Sequence, residues 1–288
     1  MNPQDFEYLK DFLKTRSGIV LSADKLYLVE SRLTPVARDL GMAGIDELIE
    51  ALRKTADERL KTCVTDAMTT NESFFFRDQK PFDNLKDHVL PPMIAARKAK
   101  GQNRIRIWSA ACSSGQEPYT IAMMLLENKD KFGDMAFEIL ATDLSTEIVE
   151  KAKEGAYSQF EVQRGLPIQL LVKYFTQTET AWQISEDVRK MVRFQTFNLL
   201  DSYGVLGKFD IIFCRNVLIY FDQDTKGAIL SRMADISTPD ASLFLGGAES
   251  VIGITSDYQP VTGVRGVYQL ASNAPAVGAA PLSAAGVK

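Results

Sequence analysis

The sequence predicts an α/β fold: a doubly wound, mostly parallel sheet, preceded by an N-terminal all-helical domain and interrupted by a small inserted β hairpin. Three observations carry this. Apolar residues recur at three- and four-residue steps through residues 1–78. From residue 104 onward, short apolar runs alternate with helical patterns. Between Tyr174 and Arg193 that alternation fails, where only a crossover helix would be required.

In the helical part, Phe6, Leu9, Phe12 and Leu13 sit at helical spacing and Gly18 closes the segment. Ser22 is placed to cap a second helix, in which Leu26, Val29, Leu33 and Val36 recur until Gly41. Ile45 to Leu52 and Leu60 to Met68 complete a bundle. Thr69 to Arg77 breaks the pattern, because Phe74, Phe75 and Phe76 in succession cannot share one helical face. These rings can pack against the next domain, leaving Asn71, Ser73 and Arg77 as polar groups for a cleft at the domain junction. Residues 79–103 read as a linker, a helix after Pro81 followed by Pro91, Pro92 and a basic stretch, with His88 within them structural or exposed.

The first strand begins at Arg104, with Ile105 and Ile107 alternating against Arg104 and Arg106. A loop of small residues follows, Ser109 to Gly115, and then a helix in which Pro118 suits the first position. Phe137 to Thr142 is the second strand, ending at Asp143, and Ser145 is placed to cap the helix after it. Val192 to Phe197 is followed by Asn198. Phe209 to Cys214 is a nearly continuous apolar run, suited to the centre of a parallel sheet, and leads into Arg215 and Asn216. A helix from about Asp224 to Ile236, a strand from Ser242 to Gly246 and a final pair between Tyr258 and Leu270 complete a domain spanning 104–271. The insertion occupies about 174–193. The tail, 272–288, is rich in Ala, Gly and Pro and is expected to be disordered.

Composition narrows the function classes. At 45% hydrophobic and 24% charged residues, the chain is an ordinary soluble globular protein. Its net charge is -4, and residues 1–100 carry equal numbers of basic and acidic side chains. Without a basic stripe it is a poor candidate for nucleic acid or for an anionic membrane surface. The polar amino end and the absence of a ~20-residue apolar run argue for a cytoplasmic protein without membrane insertion. Three scattered cysteines and one histidine offer no metal-ligand spacing, so no metal site is expected.

In a doubly wound sheet, ligands bind outside the carboxyl ends of the strands. Those ends here carry the small loop before Glu117, then Asp143, then Asn198, then Arg215 and Asn216. A carboxylate after the second strand suits ribose hydroxyls. The first loop lacks the G-x-G-x-x-G pattern, and there is no P-loop lysine. Glu117 would repel a pyrophosphate but tolerate an ammonium or sulfonium, which points away from a dinucleotide and toward S-adenosylmethionine.

Several runs together resemble one family. These are Asn71-Glu-Ser-Phe-Phe-Phe-Arg77, Trp108 through Gly115-Gln-Glu117-Pro118, Ala141-Thr-Asp143, Arg215-Asn216-Val-Leu-Ile-Tyr220-Phe221 and Gly246-Gly-Ala-Glu249. From about Phe6 to Leu270 the chain is similar to the CheR family, the S-adenosylmethionine-dependent glutamate methyltransferases of bacterial chemoreceptors. The resemblance implies a class I methyltransferase domain, S-adenosylmethionine as cofactor, S-adenosylhomocysteine as product, and methyl-accepting chemoreceptor cytoplasmic domains as partners of a monomeric enzyme. It implies that Asn71, Ser73, Arg77, Glu117, Asp143, Asn198, Leu199, Arg215 and Asn216 bind the cofactor, and that Arg77 and Tyr220 border the transferring methyl. Ser73 stands where the family often has Thr, and keeps the hydroxyl.

A glutamate side chain, with a pKa of ~4.3, is already ionised at neutral pH and needs no general base. The resemblance also casts the helical domain as the receptor-recognition domain, with Lys25, Arg32 and Arg38 facing the acidic methylation region. Without it, the charges of that helix read as a solvated surface. In some members the inserted hairpin holds a receptor C-terminal tether peptide as an added strand, and those members have a longer, glycine-bearing loop. The loop here is read as Thr176 to Thr180, so tether binding is expected to be absent or weak. Two other functions stay open: a methyltransferase for another substrate, and a non-catalytic cofactor-binding adaptor.

Overall fold

The computed structural model describes residues 1–271, and the expected disordered tail lies outside the described residues. Four helices form the N-terminal domain: α1 (Pro3–Ser17), α2 (Leu26–Asp39), α3 (Ile45–Lys54) and α4 (Glu58–Met68). Their apolar stripes meet in one core containing Phe6, Leu9, Leu13, Val29, Leu33, Leu48 and Val64. Gly18 ends α1 in the left-handed conformation, its N–H bonding back to Lys14. Ser22 precedes a single 3₁₀ turn, Ala23–Lys25, and makes no side-chain cap bond.

Residues 79–103 join the two domains as packed helix, including the one expected after Pro81. They carry α5 (Lys80–Asn84), a π turn (Leu85–Val89) and α6 (Leu90–Ala99) in continuous succession. Phe82, Leu85, Leu90 and Met93 enter the core of the next domain. Pro91 and Pro92 lack an N–H but fall in the first turn of α6, where no intrahelical donor is needed. The π turn immediately before them absorbs the change of pitch.

The sheet domain follows as β1 (Arg104–Ala110), α7 (Gln116–Glu127), α8 (Lys129–Phe132), β2 (Ala136–Asp143), α9 (Thr146–Glu154), β3 (Ala156–Tyr157), α10 (Gln159–Gln163), α11 (Ile168–Tyr174), β4 (Phe175–Gln177), β5 (Trp182–Ile184), α12 (Glu186–Arg189), β6 (Val192–Thr196), β7 (Phe209–Cys214), α13 (Gln223–Asp235), β8 (Ser237–Leu245), β9 (Tyr258–Pro260) and β10 (Val267–Leu270). Seven strands pair in the order β6-β2-β1-β7-β8-β10-β9. The first five are mutually parallel, and β10 and β9 close the edge antiparallel. Every residue of β7 is buried, as its apolar run requires. Period-two alternation sorts the central strands between two cores: Ile105, Ile107, Ile211 and Phe213 face one, and Trp108, Ala110, Ile212 and Cys214 the other.

Two boundaries move. The inserted unit is a three-stranded sheet of order β3-β5-β4, so it begins at Ala156 rather than near Tyr174. The loop joining β4 to β5 is Thr178 to Ala181, closed by Thr178 N–H donating to Ala181 O at 2.8 Å, and it contains no glycine. Among the described residues no helix is long and apolar enough to cross a membrane.

Candidate active site

Chain order reverses between β1 and β7, since β1 runs on to β2 and β6 on one side while β7 leads to β8 on the other. The carboxyl ends of these two strands therefore open a crevice. The loop after β1 is bent sharply, with Ala111 and Ser113 in the left-handed region at φ 54 and 52. Asn216, just after β7, has φ 59. Such conformations in residues other than glycine persist only where surroundings over-determine them.

Those surroundings are visible. Cys112 N–H donates to Thr142 O at 2.9 Å, and Ser113 N–H to the Asp143 carboxylate at 2.8 Å. The Trp108 indole donates to the Thr142 hydroxyl at 3.0 Å, locking β1 to β2 beneath the loop. Ser113 Oγ donates to Asn71 O at 2.7 Å, tying the loop to the segment between the domains. On the other side, the Glu249 carboxylate accepts the N–H groups of Gly246, Asn216, Val217 and Leu218 at 2.7 to 3.0 Å. One side chain thus sets the path of the chain that leads to Tyr220.

Asp143 is almost fully buried, and burial pushes its carboxyl above the usual range, against the backbone amides of Ser113, Ser145 and Leu144 that stabilise the anion. Ser145 caps α9, as expected, accepting from Ile148 N–H at 3.3 Å. Helix α7 starts at Gln116, so Pro118 is its third residue rather than its first, still within the turn whose N–H groups lack partners. Glu117 accepts from Ser109 Oγ at 2.8 Å and from Arg215 Nη1 at 2.9 Å. Arg215 also donates to Arg77 O and to Asp78, and its buried Nε has no partner among the described residues.

The helical domain roofs the crevice. Val20 N–H donates to Tyr220 O at 2.9 Å, and Lys14 pairs with Asp222 at 2.8 Å. Asn198 uses its side chain at the junction, donating to Arg16 O at the end of α1 and accepting from Leu200 N–H. The result is one cavity. Asn71, Ser73, Arg77, Glu117, Asp143, Asn198, Leu199, Arg215, Asn216 and Tyr220 all line it, and Lys25 stands in its wall. His88 is exposed and does not line it.

The three basic residues of the second helical segment do not share one role. Arg32 turns inward, donating to the carbonyls of Met68 and Thr69 at 2.8 and 2.7 Å and to the Thr70 hydroxyl at 3.0 Å. It caps the carbonyls left open at the end of α4. Burial lowers its pKa, with Tyr220 and Tyr27 acting the other way. Lys25 and Arg38 are exposed. Lys25 belongs to the 3₁₀ turn and Arg32 to α2, and the length of the arginine side chain lets its charge reach the end of α4. In the sequence, Glu249 stands out only as part of the Gly246-Gly-Ala-Glu249 run. The signal for its role is the carboxylate following Gly246-Gly247, because a loop that must collect several N–H groups needs a nearby anion. Among the described residues no cluster of metal-ligating side chains occurs.

A doubly wound sheet with its reversal at the first and fourth parallel strands, and a carboxylate after the second strand at the rim of the cavity, defines the class I S-adenosylmethionine-dependent methyltransferase fold. Residues 71–267 match the SAM binding domain of the CheR methyltransferases, and residues 4–69 match their all-alpha domain. The chain is 44% identical over 261 residues to chemotaxis protein methyltransferase 1 of Pseudomonas aeruginosa, covering 89% of this chain and 94% of that one. It is 43% identical over 270 residues to chemotaxis protein methyltransferase Cher2 of Pseudomonas putida, covering 92% and 97%. A chemotaxis protein methyltransferase of Vibrio parahaemolyticus is 38% identical over 264 residues, covering 91% and 94%. The chain belongs to the CheR methyltransferase family, and its cofactor is S-adenosylmethionine.

Proposed function

We propose that the protein methylates glutamate side chains of methyl-accepting chemoreceptors, forming methyl esters in chemotactic adaptation. The observation that carries this is the convergence of Asn71, Ser73, Arg77, Glu117, Asp143, Asn198, Leu199, Arg215 and Asn216 on one cavity that Val20 and Leu21 of the helical domain and Tyr220 also line. The names of the relatives place them in chemotaxis, and the same role is proposed here.

The residues present fit the cofactor. The Glu117–Arg215 pair offers a carboxylate and a guanidinium side by side, which suits the zwitterionic amino-acid end of S-adenosylmethionine, and the unpartnered Arg215 Nε leaves a donor over. Asp143 offers acceptors for ribose hydroxyls, and Phe197 with Leu199 supplies apolar wall. When bound, the cofactor supplies a methyl group on a sulfonium, toward which an ionised carboxylate is a sufficient nucleophile.

The work left to the protein is therefore positioning and exclusion of water. Arg77 lines the cavity beside the expected methyl position and offers positive charge to an incoming carboxylate. Tyr220 is a positioner rather than a proton carrier, its main chain fixed through Val20. Lys25 and Arg38 are the exposed charges available to an acidic receptor helix. Arg32 contributes by holding the segment between the domains, and its charge stays close to Tyr220 and Tyr27.

The protein acts as a monomer in this reading. Tether binding is absent or weak because the Thr178–Ala181 loop is short. Calorimetry with a receptor C-terminal peptide should show no micromolar binding, and a micromolar Kd would count against that point. The function itself is tested by incubating the protein with methyl-labelled cofactor and a receptor cytoplasmic fragment. Base-labile label released as methanol is the expected result. Alkali-stable label, or none, would point to another substrate or to a non-catalytic adaptor.

A further inference from the structure

The Phe74 ring meets two guanidiniums. The Arg164 guanidinium carbon is 4.4 Å from its ring centroid and that of Arg77 is 5.6 Å away. Glu72 is shared between the same two arginines. Its main-chain carbonyl accepts Arg77 Nη1 at 2.9 Å, and its carboxylate accepts Arg164 Nη2 at 2.6 Å. Gly165 comes next, at φ 82, and a Cβ built there would overlap the carbonyl oxygen of Phe75. Two consecutive residues of the inserted subdomain thus lie directly against the segment that carries Asn71, Ser73 and Arg77. Neither Arg164 nor Gly165 lines the cavity itself.

We infer that Arg164 is a positioning residue for Arg77, so that the inserted subdomain sets the geometry of the cofactor and methyl site. Arg77 is held by the Glu72 carbonyl and by the Phe74 face, and Arg164 fixes both of those holders at once. The Arg164–Glu72 pair is exposed and by itself contributes little. What orders the segment is the conjunction of that pair with the cation–π contact to Phe74 and the backbone contact at Gly165, where only glycine fits. A lysine at 164 would keep the charge for Glu72 but lose the flat face presented to Phe74.

This rests on the reading of Arg77 as a cofactor and methyl-site residue, and the test separates the two. S-adenosylhomocysteine is titrated calorimetrically into the full chain and into Arg164→Ala, Arg164→Lys, Arg77→Ala and the Arg164→Ala/Arg77→Ala double variant, with methyl transfer at saturating cofactor measured in parallel. Thermal melts confirm that each variant is folded. The inference predicts that Arg164→Ala weakens binding or slows turnover by roughly tenfold, that Arg164→Lys is intermediate, and that the double variant is no worse than Arg77→Ala, because residues acting through one another are not additive. An Arg77→Ala defect with wild-type behaviour in Arg164→Ala, or strictly additive losses, overturns the inference and leaves the reading of Arg77 standing. No defect in Arg77→Ala overturns that reading, and the inference with it.

Discussion

The guanidinium of Arg215 lies 2.9 Å from the carboxylate of Glu117, across 98 residues of chain, and their side chains are only 1% and 12% exposed. The pair joins the end of β7 to the start of α7 at the point where the sheet reverses. Breaking a buried pair from one side strands the other charge, at a cost of about 3 to 5 kcal/mol. Asp78 also accepts from Arg215 and offsets part of that loss. Glu117→Gln should lower the unfolding free energy by roughly 2 to 4 kcal/mol in urea titration and weaken S-adenosylhomocysteine binding as well. A variant with unchanged stability and affinity would show that the pair neither anchors the strand ends nor faces the cofactor.

Tyr220 follows the loop that Glu249 holds through four N–H groups, and its own carbonyl is fixed by Val20. Removing only the hydroxyl leaves that backbone in place. Tyr220→Phe should bind S-adenosylhomocysteine as the parent does and turn over about ten- to a hundredfold more slowly, the size expected for loss of one positioned polar group. Loss of cofactor binding in a folded variant would remove Tyr220 from the acceptor side of the site.

Asp66, on α4, sits at the junction beside Ser145. Burial there pushes its carboxyl up to about 6, a hydrogen bond with Ser145 opposes the shift, and Asp143 and Glu147 add repulsion. The folded protein therefore binds this proton more tightly than the unfolded chain. The associated stability is fully present below pH ~4 and is lost as pH rises through about 6. Asp66→Asn should melt higher than the parent above pH ~7, by about 1 kcal/mol after allowing for its half-exposed setting, and alike near pH ~4. Equal melting curves at both pH values would show that the junction does not strain this carboxyl.

The strand ends were legible in the sequence because each combines an apolar run with a polar residue where the sheet must stop, as at Phe209 to Arg215 and Phe137 to Asp143. The helical domain was legible from its 3.6-residue period. What escaped depends on contacts that no local pattern carries. Arg97, in the stretch read as a linker, is buried by pairing with Asp210 and Asp240, 113 and 143 residues away. Strand β3 has two residues, too few to alternate, so the inserted unit seemed to begin later than it does. Arg32 looked like a surface charge until the carbonyls of Met68 and Thr69 were in place to receive it.

The proposed reaction carries a methyl group from this cavity to receptor glutamates. It is tested most directly by tandem mass spectrometry of a receptor cytoplasmic fragment after incubation with cofactor bearing a deuterated methyl, comparing the parent protein with Arg77→Ala. Label is expected on glutamate side chains with the parent, with a loss of at least about a hundredfold with Arg77→Ala. Label on another residue type, or undiminished labelling by Arg77→Ala, would contradict it.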